Sequence, residues 1–224
     1  KKAIKVLIDH HLEPQAFCDF NFSFPKACAT AELMFYFFQR LGFSDYIDQS
    51  IAECLYCGIM TDSGNFRFDC VSAELHEITS LLLRKGANQN KVYDLIYNVN
   101  SIDLIRLQGY IMAEKMHITE DGKTSLISLD NDEQQRFNVA KTEIDYFVNF
   151  GLTINGVNLS AFFYENNGIV KAAFRSKGNI SVKDIAANYY NGGGHLNASG
   201  GTSTKNLSDT ISEFMGILRK NKIT

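Results

Sequence analysis

No stretch of this chain stays apolar for the roughly 18 residues that a membrane-spanning helix needs, so a helical anchor is not expected within it. An excess of basic charge is also missing. The formal net charge is -3, which excludes broad electrostatic adhesion to long nucleic acid, because that requires a basic face. It leaves open a short phosphorylated ligand held by a few donors and a metal. Cysteine is scarce and odd in number, five in all. That excludes a fully paired disulfide framework and suits a reducing compartment, so the expected localisation is cytoplasmic. Cys54 and Cys57 form a CxxC without a second pair, inside the apolar run IAECLYCGIM, and are expected to be buried thiols. The opening KKAIKVLIDHH is too short for a signal peptide. It begins with Lys and runs straight into a strand, so the chain is expected to start inside a longer product. Internal repeats and low-complexity linkers are absent from the sequence.

What remains is an ordinary globular composition, 45% hydrophobic and 21% charged over 224 residues, enough for one large domain or two small ones. AIKVLI (3–8) reads as a strand that delivers Asp9 at its C-terminal end. Between Ala27 and Leu41 the positions Ala31, Met34, Phe35, Phe38 and Leu41 repeat at helical spacing. Pro25 is suited to open that helix and Gly42 to close it. Ile51 to Met60 is a further apolar element, ending abruptly in TDSGNFR. Helices are expected over 72–85 and 90–97, with Gly86 between them, and over 101–117. After EDGK the texture changes. TSLISLD, NLSAFFYE and GIVKAAFRS are strand-like, and NNG at 166–168 signals a hairpin. SVKDIAANYY and LSDTISEFMGILRK read as helices flanking a glycine-rich loop. Two α/β units meeting near residue 120 is the simplest organisation.

Three clusters could carry chemistry. Asp9-His10-His11 ends a strand, where neighbouring side chains alternate between faces. One histidine can then bind a metal while the other reaches a substrate, with Asp9 orienting an imidazole; a solvated loop is the plainer alternative. In MTDSGNFR, Asp62 sits on a tight turn and Arg67 can clamp a phosphate, unless the turn merely displays a surface charge. NGGGHLNASGG holds five of the sixteen glycines in eleven residues. Gly192, Gly193 and Gly194 would let backbone N–H groups approach an anion, with His195 as a donor and Arg175 and Lys177 converging from a strand end. A plain connecting loop would explain two glycines, but explains three beside a histidine poorly.

In this order, Asp-His-His, Thr-Asp-Ser-Gly-x-Phe-Arg and a distal Gly-Gly-Gly-His resemble the DHH phosphoesterases with a DHH-associated C-terminal domain. The resemblance is strongest to the bacterial bifunctional oligoribonucleases, or nanoRNases. It extends through ACATAELMFYFF and FRSKGNISVKDIA. It implies an α/β fold: the C-terminal part of a doubly wound parallel-sheet DHH domain (1–98), a helical connector (99–120) and a smaller α/β substrate-binding domain (121–224). It also implies two divalent metal ions, manganese foremost, with His10 and Asp62 as ligands of one of them. Asp9 would be the orienting acid and His11 the contact on the phosphate side. Arg175 and Gly192 to His195 would grip the terminal phosphate of a nucleotide.

The family's first two metal motifs, which precede the DHH segment, are not in this sequence. The chain is therefore expected to supply only part of the ligand set. Asp130-Asn131-Asp132 is an Asp-x-Asp, but it ends a strand beyond the domain break and reads as a turn. The activity implied is hydrolysis of single-stranded RNA of two to five nucleotides and of 3′-phosphoadenosine 5′-phosphate. A cyclic or linear dinucleotide phosphodiesterase and a nucleotide-binding remnant without catalysis are the alternatives. Membrane partners are not expected, and a homodimer is left open.

Overall fold

Helices in the first half are punctuated by side chains that satisfy their orphan N–H groups. The structure, a computed structural model, describes residues 3–11, 14, 16–139 and 144–221. The chain divides into two units, Lys1–Val99 and Asn100–Thr224. In the first, β1 (Val6–Asp9) and β2 (Phe20–Ser23) pair in parallel, followed by α1 (Thr30–Arg40), α2 (Gln49–Asp62), α3 (Ala73–Arg84) and α4 (Gln89–Tyr97). Asp48, Ser72 and Asn88 cap α2, α3 and α4 by accepting from the N–H three residues on. Gly42 at φ +74° and Gly86 at φ +97° let the chain leave α1 and α3. The core is Phe35, Ile47, Leu55, Ile59, Met60, Leu75, Ile78 and Leu82.

Three expectations need correction here. Pro25 does not open α1; Ala29 is its N-cap and the helix begins at Thr30. The Ala27 carbonyl is thereby left outside the helical ladder, with a consequence described below. Cys54 is exposed rather than buried, because its position on α2 faces away from the core. Cys28 and Cys70, 42 residues apart, are joined in a disulfide.

The second unit is a six-stranded sheet in the order β3-β4-β5-β6-β8-β7, antiparallel except for the parallel pair β4–β5. Its strands are β3 (Met116–Ile118), β4 (Thr124–Leu129), β5 (Leu159–Asn166), β6 (Ile169–Ser176), β7 (Gly193–His195) and β8 (Ala198–Ser203). Strand alternation gives the sheet two apolar faces. Leu159, Ala161, Phe163, Val170, Ala172 and Phe174 pack against α8 (Val182–Tyr189) and α9 (Leu207–Asn221). Phe162, Tyr164 and Ala173 on the opposite face cluster with α5 (Ile102–Tyr110) and the short α7 (Val148–Gly151) through Leu104, Leu107 and Val148. Asn167 at φ +51° and Gly168 at φ +81° form the two-residue turn between β5 and β6, a hairpin loop whose twist matches that of its strands.

The expected helix over 101–117 stops at Tyr110. One π turn, Ile111–Lys115, follows, and Met116 already belongs to β3. Asp130 caps α6 (Asn131–Arg136) in a capping box with Glu133, so this Asp-x-Asp is a helix start. The expected glycine-rich loop is a hairpin, β7–β8. Backbones crowd so closely there that side chains are excluded. A Cβ on Gly192 would lie 2.0 Å from the Gly200 carbonyl oxygen, and one on Gly201 would lie 2.4 Å from that of Tyr190. Among the described residues, no helix is long and apolar enough to cross a membrane.

Candidate active site

In the first unit, β1 releases its chain at Asp9, and the next two residues fold back onto that carboxylate. Asp9 Oδ1 accepts from the backbone N–H of His10 at 2.8 Å and of His11 at 3.2 Å, and from His11 Nδ1 at 2.6 Å. The hydrogen bond from the His11 side chain holds the Asp9 carboxyl below the usual range. His10 turns the other way. Its Nδ1 donates to the Ala27 carbonyl at 3.2 Å, which fixes the tautomer with the lone pair on Nε2. That nitrogen faces Asp62 Oδ2 at 3.7 Å.

Asp62 is the last residue of α2, and the chain after it makes a left-handed turn. Gly64, Asn65 and Phe66 have φ of +59°, +59° and +62°, a rare run for residues with side chains. Buried Ser63 ties it together, accepting from the Phe66 N–H at 2.9 Å and donating to the Met60 carbonyl at 3.2 Å. Phe66 stacks on His76 with centroids 5.4 Å apart. Arg67 leaves the turn exposed, its guanidinium 5.4 Å from the centre of the Phe68 ring.

These residues fit part of a metal centre. One ring nitrogen of His10 is committed to a carbonyl and the other is free to coordinate, the usual arrangement around a metal-binding histidine. Ligand atoms about 2.0–2.2 Å from one ion can both reach it when they are 3.7 Å apart. Among the described residues, no group of three or more His, Cys, Asp and Glu is placed to hold an ion. His10 and Asp62 therefore make a pair, with Asp9 and His11 beside it.

The second unit carries its own cavity of about 520 Å³. Lys171, Ala173 and Arg175 alternate along β6 onto the face that Phe162 and Tyr164 share. Across the ladder Arg175 pairs with Ala198, and Ala198 pairs with His195. Arg175 and His195 thus lie in one row with only an alanine between them. The next row runs Phe162, Ala173, Gly200, Gly193, so the sheet loses its side chains strand by strand. This bare area is the cavity floor. Gly192, Gly193 and Arg175 line the cavity; Gly194 and His195 lie at its edge without lining it. Gly194 serves packing instead, since a Cβ there would meet the Ala198 carbonyl oxygen at 2.5 Å. Only Gly193 of the three looks onto open space. Arg175 is held by a hydrogen bond from Nη1 to the Phe174 carbonyl at 2.9 Å, and burial lowers its pKa while Asp145 opposes that shift.

Asp145, Tyr164, Lys171 and Thr202 also line the cavity, and sequence reasoning missed them. Lys171 was within reach, since Lys-x-x-x-Arg in an apolar strand puts two cations on one face. Asp145 was not; it opens a 3₁₀ turn, Asp145–Phe147, too short to leave a periodic signal.

The sequence matches the DHH family, N-terminal domain, over residues 1–59 and the DHHA1 domain over residues 124–220. The chain belongs to the DHH family. Among its curated relatives, the bifunctional oligoribonuclease and PAP phosphatase NrnA of Bacillus subtilis is 26% identical over 196 residues, covering 86% of this chain and 60% of that protein. The protein of the same description from Thermus thermophilus is 29% identical over 196 residues, covering 87% and 57%. The crystal structure of an exopolyphosphatase-related protein from Bacteroides fragilis superposes with a TM-score of 0.94 at 38% identity, over 98% of this chain and 64% of that one. The DHH-family chain thus spans about 60% of the length of the curated relatives it matches.

Proposed function

We propose that this DHH-family chain works in a metal-dependent phosphoesterase that hydrolyses RNA a few nucleotides long and 3′-phosphoadenosine 5′-phosphate, in the cytoplasm. The observation that carries the reading is the His10–Asp62 pair, 3.7 Å apart, with the far side of His10 locked on a backbone carbonyl. Curated relatives described as oligoribonuclease and PAP phosphatase support the substrate class. Two divalent ions, manganese foremost, would supply an activated nucleophile at neutral pH and neutralise charge on the phosphoryl oxygens.

The residues described here do the rest. His10 and Asp62 hold one ion. Asp9 fixes His11 through Nδ1, which orients the ring for the phosphate side of the site. Arg67 adds a cation from the turn after Asp62. Arg175 and the β7–β8 hairpin bind the nucleotide end, with His195 at the margin.

The test is hydrolysis with manganese by the protein that carries this chain, comparing di- to pentanucleotide RNA, long RNA, cyclic dinucleotides and 3′-phosphoadenosine 5′-phosphate. Short RNA should be cleaved far faster than long RNA. Asp62→Asn should abolish most of this turnover with the fold intact. A loss smaller than tenfold at saturating manganese, about 1.4 kcal/mol, would reduce Asp62 to a turn residue.

A further inference from the structure

A carboxylate at an anion pocket needs an explanation, because it opposes the phosphate that neighbouring cations attract. In the second unit Asp145 lines the same cavity as Lys171 and Arg175. Tyr164 lies near it, its phenol pKa raised first by burial and then by the Asp145 carboxylate, and Arg175 is close enough to feel its charge. A carboxylate offers about four acceptor sites, more than a single neighbouring phenol can occupy. The floor below is Ala173, Gly200 and Gly193 in one cross-strand row, open above Gly193. Three strands about 4.8 Å apart give a flat patch about 10 Å across, the size of a purine lying face down. Asp145 lines the same cavity from outside the sheet, and a carboxylate on that wall can meet the edge of such a ring.

We propose that Asp145 makes this pocket selective for guanine, accepting from the N1–H and the 2-amino group together. This rests on the reading of the cavity as a nucleotide site. Guanine alone among the RNA bases presents two adjacent donors on that edge. Adenine, cytosine and uracil each set at least one acceptor against the carboxylate, which repels it. The cavity volume of about 520 Å³ falls within the range of small-ligand sites.

Calorimetric titration of the chain with GMP, IMP, AMP and 2′-deoxy-GMP tests this. GMP should bind about 10- to 100-fold more tightly than AMP, the discrimination typical of one bidentate pair. IMP, which lacks the 2-amino group, should fall between them, and deoxy-GMP should bind like GMP. Asp145→Asn replaces one acceptor by a donor at nearly constant shape. It should weaken GMP by tenfold or more and bring AMP level with it or ahead, because an amide matches the acceptor–donor edge of adenine. Asp145→Ala should erase the preference without favouring AMP, and unchanged circular dichroism would show that both variants fold. Equal binding of GMP and AMP overturns the guanine assignment but leaves the nucleotide site standing. So does a GMP-to-AMP ratio that Asp145→Asn leaves unmoved. A loss confined to deoxy-GMP gives Asp145 to the ribose and also overturns it. Absence of binding by every nucleotide defeats this inference and the nucleotide reading together.

Discussion

Ser63 is buried, and its hydroxyl ties the turn that follows Asp62 back to the last turn of α2, accepting from the Phe66 N–H and donating to the Met60 carbonyl. That tie sets the direction of the Asp62 carboxylate, since the last residue of α2 can move only as far as its exit allows. Gly64 is the tightest point. It combines φ +59° with a position where a Cβ would sit 2.5 Å from the Phe68 ring, the same ring that lies under Arg67. Gly64→Ala should therefore cost about 1–3 kcal/mol of stability, read as a lowered denaturation midpoint. It should also displace the Arg67 guanidinium from the Phe68 ring. A variant as stable as the parent would show that the left-handed turn is not held in solution. The sequence made Asp62 and Ser63-Gly64 visible as the abrupt end of an apolar run. It did not make visible that Phe66 adopts a left-handed backbone or that its ring packs on His76, ten residues away, since no local pattern announces either.

Among the elements, the β7–β8 hairpin departs most from expectation. Five glycines in eleven residues imply a loop when judged by propensity, since glycine weakens strands. The ladder forms anyway, because neighbouring backbones occupy the space that side chains would take. The hairpin glycines therefore fall into two groups with opposite expected behaviour. Gly201→Ala should lower stability by about 1–3 kcal/mol through overpacking against Tyr190. Gly193→Ala should leave stability within about 0.5 kcal/mol, because nothing lies within 4 Å, and should instead weaken nucleotide binding by filling the floor. Thermal unfolding alongside GMP titration separates the two. If Gly193→Ala unfolds as readily as Gly201→Ala, the floor is not open. The β5–β6 turn was legible from NNG, since a two-residue loop demands left-handed residues. The π turn at Ile111–Lys115 was not, because Met112 and Met116 continue the helical stripe past the point where the helix ends.

At the scale of the whole molecule, the two units carry separate cores, and the disulfide belongs entirely to the first. Cys28–Cys70 closes a loop of 42 residues, so its reduction should destabilise that unit by about 2–4 kcal/mol. Titration with a dithiol reductant, followed by denaturation, should move one transition and spare the other. Cys28→Ser should reproduce the reduced behaviour; an unmoved transition in both would mean the thiols are unpaired in solution. An odd cysteine count hid this pair, because two positions so far apart in sequence give no local sign that they meet. The three polar motifs, by contrast, were legible. Each stands where a hydrophobic pattern breaks off, and such breaks survive even when the type of element is misjudged.

The floor and the wall of the second-unit cavity come from different kinds of chain. Ala173, Gly193 and Gly200 are fixed by hairpin register, where a one-residue slip would turn every side chain to the other face. Asp145 comes from the long crossover between the parallel strands β4 and β5, where residue identity is not tied to any ladder. Over evolutionary time the two should drift at unequal rates. Related proteins could inherit the bare floor unchanged while trading the wall residue freely, so that one ancestral scaffold could be retuned from one base to another by single substitutions in the crossover.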